Sequence, residues 1–172
     1  AASYLAAGDA ETVEALLAFF DLENLAPTSA RSGVVSQPQA PALAAALDAF
    51  RASWSSGDRA GALTELRPVA ERIAAAPDRI RAGVADAAFV ADCGPWLDAT
   101  ALWGQAFVRT LDGLASRVAD DDTAASAAFA EADALAGQAA AIRTIPGETR
   151  PEGPVRVGDG VLDEFLAEAA AL

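Results

Sequence analysis

Apolar side chains recur along this chain in steps of three and four, the spacing that gathers them on one stripe of an α-helix. Asp9 is suited to cap a first helix, with Glu11 in its first turn and Val13, Leu16, Leu17 and Phe20 along the stripe. That helix is expected over residues 9–25, ending before Pro27. Residues 26–39, APTSARSGVVSQPQ, read as a loop because proline, serine and glycine interrupt the period.

Pro41 fits a first helical turn, and Leu43, Leu47, Phe50 and Trp54 follow at helical spacing. Gly57 ends that helix and Asp58 caps the next, whose stripe is Leu63, Leu66, Ala70 and Ile73, with Pro68 expected to kink it. Pro77 reads as the first-turn residue of a further segment bearing Ile80, Val84, Ala88 and Phe89, and the two segments are compatible with one bent rod. The strongest helix opens at Pro95 and carries Trp96, Thr100, Trp103, Phe107, Leu111, Leu114 and Val118, a stripe suited to left-handed packing in a bundle.

After the triplet Asp120-Asp121-Asp122, Asp122 is expected to cap a last bundle helix with Phe129, Ala132, Ala136, Ala139 and Ile142 on its inner face. From Thr144 to Gly160, TIPGETRPEGPVRVGDG, prolines and glycines forbid regular helix. The only β-type alternation, Pro154 to Val157, is too short to build a sheet, and Val161, Leu162, Phe165 and Leu166 mark a short closing helix. The expected fold is therefore all-α: an antiparallel helical bundle of five or six helices over 1–143, a Pro/Gly-rich crossover at 144–160, and a C-terminal helix at 161–172 packing on the bundle.

Composition narrows the chemistry. With 172 residues, 53% of them hydrophobic, the chain can bury one core. Alanine drives the mean hydropathy of +0.23, and no apolar run is long enough to span a bilayer. A net charge of −13 lacks the clustered cations a nucleic-acid partner demands. All 12 cationic side chains are arginine; lysine, histidine and methionine are absent and Asn24 is the single asparagine, followed by Leu-Ala and so in no glycosylation sequon. That bias is what a GC-rich genome encodes. A natural chain starts with methionine, and Ala1-Ala2-Ser3-Tyr4-Leu5 has neither the charged start nor the apolar centre of a signal peptide, so a processed product or a piece of a longer chain is expected.

Without histidine, the Ser-His-Asp and Cys-His hydrolases lose their base, and the Glu-x-x-His di-iron and His-ligated haem bundles lose their ligands. A single cysteine excludes an internal disulfide and a cysteine-rich zinc site.

Four features remain as candidates. Cys93-Gly94-Pro95-Trp96 resembles a Cys-Gly-Pro-Cys redox site, but tryptophan stands where the resolving sulfur must be. The preferred reading is structural, with Gly94 as N-cap, Pro95 at N1 and Trp96 opening the core stripe, although a thiol at a helix start can also be acidified by the helix dipole. Asp120, Asp121 and Asp122 are adjacent in a polar loop, so they neither flank a scissile glycosidic bond nor alternate as calcium ligands do. Trp54, Trp96 and Trp103, with Phe50 and Phe107, sit at core spacing; a sugar or peptide groove is the alternative. The PEGPVRVGDG stretch lacks the strand and lysine of a phosphate loop, and its Arg150 and Arg156 are open to pairing within or between chains. No catalytic, cofactor-binding or metal-binding residue is therefore assigned.

Several stretches, taken in order, resemble the helical domain that follows the catalytic barrel in glycoside hydrolase family 84, the β-N-acetylglucosaminidases that include hyaluronidase-like and O-GlcNAcase-like enzymes. They are TVEALLAFFDLENLAP, ALAAALDAF, ELRPVAERIAAAPDRIRAGV and PWLDATALWGQA, with the shorter VLDEFLAEA in the tail. The resemblance implies a barrel bearing an adjacent aspartate pair and a substrate-assisted mechanism. A barrel takes about 250 residues, for which this chain has no room, and Asp120-Asp121-Asp122 falls between helices, so no catalytic residue carries over. The expectation is a non-catalytic helical domain of a larger bacterial glycosidase, secreted or on the cell surface, whose partner is the catalytic barrel of the same parent chain, with no nucleic acid, no membrane span and no cofactor. The alternative is a free-standing helical interaction or oligomerisation module; a small-molecule-binding bundle with a cavity near Trp96 and Trp103 is a third reading.

Overall fold

A computed structural model describes residues 9–22, 41–150, 153–156 and 160–172. Among them are seven helices, α1 (Ala10–Leu22), α2 (Pro41–Ser55), α3 (Arg59–Gly83), α4 (Ala87–Asp92), α5 (Gly94–Val118), α6 (Asp122–Arg143) and α7 (Gly160–Ala169). A hairpin of β1 (Thr144–Arg150) and β2 (Gly153–Arg156) stands between the last two. The protein is an all-α helical bundle.

The axis of the bundle is the pair α3 and α5, each 25 residues and so about 37 Å long. Arg67 bonds Asp112, Ala74 lies against Gly104, and Arg81 pairs with Asp98, so numbers that climb on α3 fall on α5 and the two run antiparallel. Helices α1 and α2 flank α3, while α6 flanks α5 and α7 closes over α5, α2 and α6.

Two apolar clusters follow from this arrangement. The larger joins Leu47, Phe50 and Trp54 of α2, Leu66 and Ile73 of α3, Trp103, Phe107 and Leu111 of α5, Ala139 of α6, and Leu162 and Phe165 of α7. The smaller joins Ala15, Leu16 and Phe19 of α1 to Ala76 and Ile80 of α3 and Leu97 of α5. Phe165 meets Phe50 edge-on at 5.4 Å and Phe107 at 5.4 Å, which pins α7 to both α2 and α5.

The same turn closes both long hairpins. After α2, the Gly57 N–H donates to the Trp54 carbonyl and the Asp58 N–H to that of Ser53, with Gly57 at φ +93°; the Asp58 carboxylate then accepts from the Gly61 N–H at 3.0 Å. After α5, the Asp120 N–H donates to Arg117 and the Asp121 N–H to Ser116, with Asp120 at φ +59°; the Asp121 carboxylate accepts from the Ala124 N–H at 2.9 Å. Each is a Schellman end that leads at once into an aspartate cap.

Several expectations shift. The predicted stripe of α1 is rotated: Thr12, Ala15, Leu16 and Phe19 face inward, whereas Leu17 is 56% exposed and Val13 is half-buried. The rotation seats the small Thr12 against Gly83 of α3, where a larger residue has no room. The Phe20 side chain and the loop expected at 26–39 lie outside the described residues. Pro77 does not open a segment but is buried inside the continuous α3, which also contains the exposed Pro68. Ala88 and Phe89 belong instead to α4, capped by Asp86, whose carboxylate accepts from the N–H groups of Ala88 and Phe89.

The caps move by one residue. Cys93, and not Gly94, is both the last cap of α4 and the first cap of α5, which puts Pro95 at the second helical position, where its missing N–H has no intrahelical partner to lose. Asp121, and not Asp122, caps α6, because Asp120 has taken the left-handed position. The crossover contains a sheet after all: β1 and β2 pair antiparallel with Thr144 opposite Arg156, Thr149 opposite Pro154 and Arg150 opposite Gly153, and an irregularity lies between the first two pairs. Proline and glycine exclude helix there but not an edge ladder, where a missing N–H faces outward. Helix α7 begins one residue early, at Gly160.

Candidate functional site

The residues that stand out in the sequence do not converge. Cys93 lies at the α4–α5 joint, Asp120 to Asp122 at the α5–α6 turn, the aromatics in the core, and Arg150 and Arg156 on the hairpin, with their side chains outside the described set.

At the joint, the Cys93 N–H donates to the Phe89 carbonyl and its own carbonyl accepts from the Leu97 N–H, so the backbone passes through it in right-handed helical geometry. The thiol is partly buried against the smaller cluster beside Trp96 and makes no side-chain capping bond. Burial pushes the thiol pKa up from its ordinary value, and the neighbouring Asp92 carboxylate adds to the rise. Both effects oppose the acidification that a helix start can give, so the thiolate, the reactive form, is disfavoured.

The three aspartates are exposed and divided among local tasks: Asp120 takes the left-handed turn position, Asp121 caps, and Asp122 occupies the first turn of α6. Among the described residues no group of three or more His, Cys, Asp or Glu is arranged to hold a metal ion. Trp54 and Trp103 are buried and Trp96 is half-buried, and Phe50 stacks on Trp54 at 5.3 Å, so these rings build core and not an open platform.

Seven arginines among the described residues make ion pairs or ring contacts. Arg51 forks onto Glu168 of α7 at 2.8 and 3.1 Å and reaches Asp48, contacts that raise its pKa further above the ordinary value. Arg67 and Arg109 share Asp112, and Arg109 continues to Glu131 of α6 at 3.1 Å. Arg79 pairs with Glu11 of α1, while Arg59 lies over Trp54 and Arg117 over Phe129.

Open grooves line the bundle, and three of them are formed by described residues. One of about 510 Å³ runs between α6 and α7 and is walled mainly by alanines, with Phe129, Asp133 and Leu166. The second, about 450 Å³, lies between α1, α2 and α3, lined by Glu14, Leu17, Ala18, Leu43, Val69 and Arg72. The third, about 440 Å³, lies on the other side of α1 and is walled by Glu11, Glu71, Arg72 and Arg79. None of the three is lined by Trp96 or Trp103. The second was not foreseen from the sequence; its signal is Leu17, a large apolar residue that becomes an outlier only once the inner face of α1 is known.

No helix among the described residues is long and apolar enough to cross a membrane. The class established by the geometry is an all-α helical bundle. No known protein family, curated protein or solved structure matches the chain.

Proposed function

We propose that this chain is a non-catalytic helical domain of a larger bacterial β-N-acetylglucosaminidase of the hyaluronidase-like kind, secreted or on the cell surface, packing against the catalytic barrel of the same parent chain and bracing the approach to its active site. The observation that carries the reading is the ordered resemblance of four stretches to the helical domain of those enzymes. The packing is compatible with it: the described parts of the four stretches lie on α1, α2, α3 with its C-terminal cap, and α5, and three of these helices pack on the fourth, α3.

The complete coding sequence is the direct test, expected to encode a barrel with an adjacent Asp-Asp pair ahead of Ala1. In parallel, the isolated chain is expected to leave an aryl N-acetylglucosaminide intact and to bind the separately expressed barrel. A coding sequence without a barrel, or enzyme-like hydrolysis by the isolated chain, refutes the proposal.

A second reading, a free-standing interaction or oligomerisation module, draws on the exposed Leu17 above the α1–α2–α3 groove. It expects self-association in sedimentation that Leu17→Glu abolishes.

A further inference from the structure

We draw no further inference here: the strongest candidate, the apolar groove between α1, α2 and α3 beside the exposed Leu17, is an unpartnered face, and nothing in the structure shows what covers it.

Discussion

Replacing Gly104 by alanine tests the axis of the bundle directly. A Cβ at this position would fall well inside 3.0 Å of the Cα and N of Ala74, and 2.9 Å from its Cβ. Backbone atoms cannot rotate away, so α3 and α5 must separate by roughly 1 Å, enough to forfeit a quarter to a half of the dispersion attraction across the seam. Overpacking of this kind costs about 1–3 kcal/mol, and the better helix propensity of alanine returns up to about 1 kcal/mol. The expected net loss is about 1–2 kcal/mol, or a Tm lower by about 2–8 °C for a chain of this size.

The comparison that isolates the packing term is Gly137→Ala, where a Cβ would meet nothing within 4 Å. There only propensity acts, and a gain of about 0.5–1 kcal/mol is expected. Gly113→Ala falls between the two, because its obstacle is the Phe129 ring at 2.9 Å, a side chain able to turn. Urea and thermal melts followed by far-UV circular dichroism read all three. If Gly104→Ala melts at or above the parent protein, the close approach of α3 and α5 is wrong, and with it the antiparallel register.

Asp120→Gly should stabilise by about 0.5–1 kcal/mol, since glycine takes φ +59° without the penalty of a side chain, while Gly57→Ala at φ +93° should lose about 1 kcal/mol; opposite signs in urea melts check the shared turn, and equal signs contradict it. Phe165→Ala should destabilise by about 3–5 kcal/mol and expose the α7 amides to hydrogen exchange before those of α5; uniform exchange would mean that α7 is not held by Phe50 and Phe107. At neutral pH, Cys93 should react with a thiol reagent more slowly than a free cysteine, because its pKa is raised and the thiolate fraction grows only at higher pH; a rate well above that of free cysteine would reopen the redox reading.

Much of the fold was legible because the deciding interactions are local. The stripe of α2, Leu43, Leu47, Phe50 and Trp54, is buried throughout, and so is the central run of α5 from Thr100 through Leu114 at the predicted positions. Large apolar residues at a 3.6 period leave one rotation in which all are covered. No histidine and a single cysteine narrow the chemistry before any coordinate is known, but the groove beside Leu17 was not legible, because it depends on which face of α1 turns inward.

The sequence by itself determined that this chain builds helices, roughly where they lie, and which residue chemistries are open to it, because periodicity, proline, glycine and residue inventory act within a turn or two of chain. Only the tertiary structure decided the rest. In α1 the buried face is Thr12, Ala15, Leu16 and Phe19, with Thr12 set so closely on Gly83 that a Cβ there would clash, a contact between helices that local periodicity does not report. Three consecutive aspartates are chemically equal as caps until α5 ends and forces one of them into the left-handed region. Pro77 lies buried inside the continuous α3, and Gly104 and Gly137, one letter in the sequence, differ because one meets the backbone of α3 and the other meets open space.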